Sequence, residues 1–349
     1  MNPYSSLPRS AYWKTGVAQE NPHAIEGIYS KKFVISSKEK IATAGSCFAQ
    51  HISRHLKMNG YKVLEAEPPP PGLPDHLHTR YGYSMYSGRY GNIYTVKQLL
   101  QLTQEALGDY KPKDIIWEKD GKYFDALRPN LEPDGFPSKE EVNRQREYHI
   151  NRNVEIFKQM DVFIFTLGLT EMWAHKKFGT VYPTAPGTIA GIFNDEIHEF
   201  KNADYDDIIQ DYNAFEATLK KIRNGKECKI ILTVSPVPLT ATASGKHVLS
   251  ATSHSKAILR AVAGYLSETH SHIDYFPSYE IVNNPRLHSS SFEANLRSVR
   301  NESVEIVMKQ FFNEHPPIIR TKEGKHKTTN RNRTQEIQCE EALLEVFGR

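Results

Sequence analysis

Long apolar runs are missing from this sequence, and so are paired cysteines. No stretch approaches the roughly 20 apolar residues that a helix needs to cross a bilayer. The N-terminus, MNPYSSLPRSAYWK, has no apolar run of signal-peptide length. A cytoplasmic protein without a membrane span is expected. Only three cysteines, Cys47, Cys228 and Cys339, occur in 349 residues. Their wide spacing makes neither a disulfide framework nor a zinc pattern, which fits a reducing compartment. Charge of one sign is also scarce. A formal net charge of +3 is too small to mark a nucleic-acid or membrane surface, and the basic excess gathers near the C-terminus. No nucleic-acid partner is expected, and neither a cofactor nor a metal. What remains is a chain that is 39% hydrophobic and 24% charged, enough to bury the core of one large α/β domain.

Residues 1–37 read as an irregular N-terminal arm, with Tyr12 and Trp13 packing it onto the body. Residues 40–45 read as a buried strand, after which Phe48, Ile52 and Leu56 fall at helical spacing until Gly60. YKVLEAE, 61–67, reads as a second strand, and the prolines at 68–71 stop it. TRYGYSMYSGRYGNIYT, 79–95, is a glycine- and tyrosine-rich loop suited to lining a pocket, and it leads into the helix TVKQLLQLTQEAL. An Asp-Gly pair inside 114–127 predicts an inserted hairpin, and Ser138 with Glu141 predicts a capped helix reaching about Met160.

VFIFTLG (162–168) and KIILTVSPV (229–237) are continuous apolar runs of the kind found in central parallel strands. A second insertion fills 174–200, helices follow at 204–224 and 253–268, and HIDYFPSYEIV, 272–282, reads as the last strand before a helix ending near Phe312. The order predicts a three-layer, doubly wound, mainly parallel flavodoxin-like sheet over 38–314, with inserted hairpins. From 315 to 349 a basic linker, with Arg320, Lys322, Lys325, Lys327, Arg331 and Arg333, leads to a short amphipathic helix.

Ligands of open α/β sheets bind outside the carboxyl ends of the strands. The Gly45-Ser46 corner belongs at that edge, where a hydroxyl beside a helix N-terminus suits a nucleophile, although serine is also a common helix cap there. Cys47 reads either as a small buried side chain or as a thiolate at a helix start. The strand at 162–168 delivers Gly168, Thr170 and Glu171 to the same edge, and the strand at 229–237 delivers Ser235. With the Gly91-Asn92 turn, these groups supply what an acyl-transfer site needs: a nucleophile, amide donors and a side-chain donor.

GSCFA (45–49), RYGNIY (89–94), FTLGLTEMW (165–173), SPV (235–237), SKA (255–257) and YFPSYEIV (275–282) together resemble the GSCFA domain family, related to the SGNH or GDSL-like hydrolases. The resemblance covers roughly 38–312 and implies an SGNH-type domain. It puts Ser46 in the place of the nucleophile, with its own N–H in the oxyanion hole. Gly91, with Asn92, takes the place of a second amide donor. Gly168, Thr170 and Glu171 stand where those enzymes place a glycine and an asparagine, so Thr170 is the candidate side-chain donor and Glu171 the candidate orienting acid.

The family's Asp-x-x-His is absent. In FEANLRSVRNES, 292–303, Asn295 falls at the aspartate and Ser298 at the histidine. His247, after the loop SPVPLTATASGK, is the favoured replacement base, with His254 and His288 as alternatives. Arg297 or Arg300 is a candidate for an anionic substrate group, and the loop tyrosines, Tyr94 among them, either pack or contact a sugar. The expectation is a serine esterase or O-acyltransferase acting on a small-molecule or glycan ester, such as an O-acylated glycan or cell-surface precursor. The alternative is a carbohydrate- or anion-binding protein on the same scaffold.

Overall fold

The computed structural model describes residues 2–318 and 340–348, the side chains of His288 and residues 340–342 excepted. In chain order the elements are β1 (Lys40–Gly45), α1 (Ala49–Met58), β2 (Lys62–Val63), α2 (Val96–Leu107), β3 (Ile116–Lys119), β4 (Lys122–Asp125), α3 (Lys139–Gln159), β5 (Val162–Leu167) and β6 (Glu171–His175). They continue with β7 (Val181–Tyr182), β8 (His198–Asn202), α4 (Tyr205–Ile222), β9 (Lys229–Val234), α5 (Val248–Thr269), β10 (Ile273–Tyr275), α6 (Ser278–Val282), α7 (His288–Ser291) and α8 (Asn301–Glu314).

Five strands form one parallel sheet in the order β2-β1-β5-β9-β10. Taken in chain order among themselves, that is the 2-1-3-4-5 arrangement of flavodoxin-like folds, whose switch point lies between the first and third strands. Alternation along each strand sends side chains to two separate cores. Phe163, Phe165, Ile230, Leu232 and Val234 face α2, α3, α4 and α5, while Ile41, Ile164 and Ile231 face α1, α6 and α8. The sheet is therefore covered on both faces, which explains why its strands read as continuous apolar runs.

Three expectations change. The strand predicted over 61–67 stops at Val63, because the loop takes over the pairing: the Ala66 N–H donates to the Ser87 carbonyl. The one predicted over 272–282 ends at Tyr275, and Pro277, which has no N–H for the ladder, precedes the short α6. Tyr12 and Trp13 do not anchor the arm; they are 40% and 70% exposed. Tyr29 does, with its hydroxyl donating to Asp274 Oδ2 at 2.9 Å and its ring edge-on to Phe276.

The inserted segments keep their own order. β3 and β4 form the expected hairpin, and the second insertion is an antiparallel sheet in the order β7-β6-β8. The basic run Arg320–Arg333 and Cys339 lie outside the described residues; beyond them, Glu340–Phe347 forms a 3-10 segment.

A buried ionic network ties the loop before α2 to α3. Arg128 pairs with Asp125 at 2.8 Å, Arg146 with Glu105, and Arg89 with Glu132 at 2.6 Å. His149 stands 2.7 Å from Glu67 through Nδ1, and the Asn153 amide donates to its Nε2 at 3.0 Å, the pattern of a neutral ring with its proton on Nδ1. Burial, with the Arg128 charge second, lowers the His149 pKa to about 4. Burial alone would raise Glu67, but His149, Arg128 and the Arg89 N–H bring it down to about 2. Burial also lowers His51 to about 3 and His315 to about 4.

In the unfolded chain these histidines take protons near 6.5, whereas the folded protein resists them until about 4 or below. Stability is thus complete above 6.5 and falls as pH drops through that window, with Glu67 adding a loss below its ordinary 4.5. Urea unfolding at a series of pH values is expected to show a declining midpoint from about 6.5 downward; a midpoint that stays level to about 4 would contradict this assignment.

Candidate active site

The carboxyl ends of β1 and β5 meet at Gly45, which pairs with Thr166. Gly45 has φ +138°, and a Cβ there would lie 2.5 Å from the Thr166 carbonyl oxygen, so only glycine lets the two strand ends close. The chain then turns into α1, and Ser46 sits on the corner, 3% exposed. Its Oγ is buried and has no hydrogen-bond partner among the described residues. A buried hydroxyl without a partner is uncommon and calls for an explanation in function or bound water.

Around that hydroxyl the backbone is drawn tight. The Ile93 N–H donates to the Gly45 carbonyl at 2.9 Å, which lays the loop carrying Gly91 and Asn92 across the end of β1. Gly91 adopts φ +69° in that loop. Behind Ser46 lies a buried polar group: the Gln50 amide donates to the Tyr86 hydroxyl at 3.2 Å, the Tyr86 hydroxyl donates to Asn92 Oδ1, and it stands 3.1 Å from the Ser46 carbonyl oxygen. Gly168 follows β5 and packs directly on the serine. A Cβ on Gly168 would stand 3.0 Å from Ser46 Cβ and 3.0 Å from the Tyr94 carbonyl oxygen.

The predicted donors are engaged within the fold. The Ser46 N–H donates to the Thr166 carbonyl at 3.1 Å, as a continuation of the β1–β5 ladder. The Thr170 hydroxyl donates its one hydrogen to Asn202 Oδ1 at 2.6 Å, and the Thr170 N–H donates to Ser255 Oγ at 3.1 Å. In this geometry neither residue points a hydrogen at Ser46. Tyr94 is buried, its N–H donating to Gln98 Oε1 and its carbonyl accepting from the Gly168 and Leu169 N–H groups.

His247 is the residue that caps α5. It is exposed at the N-terminus of α5, and its Nδ1 accepts the Leu249 N–H at 3.2 Å. His254 is exposed on the same helix, and the His288 side chain lies outside the described residues. Glu171 opens β6, with Oε1 accepting from Thr242 at 2.6 Å. Burial pushes its carboxyl above the ordinary range, against the bonds from Thr242 and Ala243 that favour the ionised form.

Asn295 and Ser298 bond one another at 3.0 Å on an exposed loop. Arg297 beside them is buried, and Arg300 caps α8, 3.7 Å from Glu293. Cys47 is buried, 5% exposed. Among the described residues no group of three or more His, Cys, Asp or Glu side chains could hold a metal ion, and no helix is long and apolar enough to cross a membrane.

One residue past Gly168, a cleft of about 180 Å³ begins at Leu169 and Glu171 and is walled by Trp173, Tyr182, Phe200 and Leu239. Residues 40–311, from the first residue of β1 into α8, match the GSCFA family. The chain belongs to the GSCFA family. No curated protein matches it. Among solved structures it is similar to a carbohydrate esterase family 3 protein from Talaromyces cellulolyticus, at 8% identity and a TM-score of 0.37, covering 79% of this chain and 95% of that one. It is also similar to an S10A mutant of an acetyl esterase crystallised with acetate, at 8% identity and a TM-score of 0.34, with the same coverage.

Within this GSCFA domain, sequence reasoning missed three groups that build the corner. Gln50 and Tyr86 left no pattern, because their meeting with Asn92 depends on how the tyrosine loop crosses β1. Lys256 did leave one. It falls among Ala251, Leu259, Val262 and Ala263 on the apolar face of α5, and it is 2% exposed.

Gly168→Ala tests the packing at Ser46. The added methyl presses on Ser46 and the Tyr94 backbone, and displacement of a reacting group by a fraction of an ångström is expected to slow covalent labelling of Ser46 by about tenfold or more, with only a small change in melting temperature. An unaltered labelling rate would show that the contact does not set the serine's position.

Proposed function

We propose that this GSCFA protein is a serine-dependent esterase or O-acyltransferase, with an O-acylated glycan or related cell-surface precursor as its substrate class. The observation that carries the reading is the buried Ser46 hydroxyl, left without a hydrogen bond at the switch point of a parallel sheet. In this reading Ser46 Oγ attacks the ester carbonyl carbon, its proton passes to a base, and the alcohol leaves with a proton returned from that base. The acyl-serine then passes to water or to a sugar hydroxyl. Donors for the oxyanion come from the turn where α1 opens and from the Gly91-Asn92 loop, at the positive end of the α1 dipole.

The aromatic and aliphatic walls beyond Leu169 suit the body of the substrate, with Trp173 offering a face to a sugar ring. Glu171 at the mouth of that cleft, its Oε1 held by the Thr242 hydroxyl, is suited to orient a donor group of the substrate or of the site. Arg297 and Arg300 are the candidates for an anionic substituent. His247 would have to leave the N-terminus of α5 to serve as base.

A second reading is favoured by the pair that replaces Asp-x-x-His. Asn295 and Ser298 satisfy each other on the surface, and a scaffold that has lost its usual base can bind a sugar or an anion without turnover.

A fluorophosphonate probe separates the two. Stoichiometric labelling that maps to Ser46 and disappears in Ser46→Ala is the expected outcome. Folded protein that stays unlabelled, and leaves a short-chain aryl ester intact, would favour binding without catalysis.

A further inference from the structure

The C-terminal segment Glu340–Phe347 has no part in the sheet or in the mechanism above. Three of its large apolar side chains, Leu343, Val346 and Phe347, are exposed. Leu344 between them is half-buried, and what it meets is the cleft that begins at Leu169: its side chain forms part of the cleft wall together with Met172, Trp173 and Leu239. Among the described residues no hydrogen bond or ion pair joins residues 343–348 to the body. The segment carries Glu340, Glu341 and Glu345, yet no lysine, arginine or histidine among the described residues lines the cleft to meet them. Apolar contact through one leucine therefore holds the segment where it lies, and half-burying one leucine favours the seated form by about fivefold. A hold of that size is real but easily exchanged.

We propose that the C-terminal segment is an intramolecular ligand of this cleft, with Leu344 seated where the apolar part of the substrate binds, so that the chain restrains access to its own site; the inference rests on the reading of the cleft as the substrate subsite beside Ser46. The cleft starts one residue past Gly168, which packs on Ser46, and Ser46 itself is not part of its wall. Occupancy by Leu344 consequently acts on substrate binding and leaves the chemical step unchanged. Because occupant and cleft belong to one chain, the ratio of seated to released forms does not depend on protein concentration, and the apparent affinity for substrate is reduced by the fraction of protein in which the cleft is open. A ligand that displaces Leu344 presents a compact apolar surface in its place.

Trp173 on the cleft wall provides a readout that needs no turnover. The chain has three tryptophans; Trp13 is exposed, Trp117 is buried and Trp173 is half-buried. In full-length protein carrying Trp13→Phe, acrylamide quenching of tryptophan fluorescence thus reports on the cleft. Leu344→Asp is expected to raise that quenching at every protein concentration, and to lower KM for a short-chain aryl ester about fivefold with kcat unchanged. Leu344→Ala, which removes the seated side chain without adding charge, is expected to move both values the same way by a smaller factor. Phe347→Asp, which charges the same segment at an exposed position, is expected to leave both at their wild-type values.

Quenching that is the same in wild type, Leu344→Asp and Leu344→Ala would overturn the proposal, because Leu344 would then not cover the cleft. Quenching that rises while KM stays fixed would overturn the competition with substrate. Wild-type quenching that increases on dilution would assign the occupant to a second copy of the chain and overturn the intramolecular contact. A protein that never turns over the ester overturns the reading of Ser46, and the quenching comparison then decides the seat of Leu344 separately.

Discussion

The close approach of two strand ends organises this molecule. β1 and β5 run parallel until Gly45 lies against Thr166 with no room for a side chain. That contact sets the path of everything downstream. It draws the Ser46 N–H onto the Thr166 carbonyl, turns the chain into α1, and leaves the Ser46 side chain on the inside of the corner. Because β1 and β5 flank the switch point, their following loops diverge to opposite faces of the sheet. The crevice between them is where a doubly wound fold receives its ligand.

The surroundings are rigid in a way that suits a preorganised site. The loop bearing Gly91 and Asn92 is bonded to Gly45, the Gly168 and Leu169 N–H groups are bonded to Tyr94, and the Thr170 hydroxyl is bonded to Asn202 across the antiparallel insertion. The same loop is anchored from behind, where the Arg89 N–H donates to Glu67 and Arg128 donates to the Arg89 carbonyl. Most polar atoms here are spent on holding the backbone. The Ser46 hydroxyl is not; Thr43 and Thr166 on the adjoining strands are likewise without a partner, but Ser46 alone of the three stands at the corner beyond the strand ends, where a ligand of this fold binds.

The sheet was legible because its signals are local and strong. The apolar runs at 162–168 and 229–237 are continuous over whole strands, and the helix expected from TVKQLLQLTQEAL is α2, capped by Thr95. Placement of Ser46 at the sheet edge followed from the same reasoning. The fate of individual donors was not legible. The Ser46 N–H is consumed by strand register, and the Thr170 hydroxyl by a residue 32 positions away; neither partner shows in a local pattern. His247 follows the loop after a strand end, and the bond by which its Nδ1 accepts the Leu249 N–H at the start of α5 leaves no mark in that spacing. Lys256 is legible in the sequence as a basic residue within the apolar stripe of α5, while its bond to the Gly168 carbonyl is not.

The central claim is that the Ser46 hydroxyl forms a covalent bond to an acyl group. Intact-mass and peptide mass analysis of the protein quenched in acid shortly after mixing with an activated acetyl ester addresses it directly. The account predicts one added acetyl group, located on the peptide that contains Ser46 and lost on longer incubation. Acetyl scattered over surface lysines, with the Ser46 peptide unmodified at every time, would contradict it.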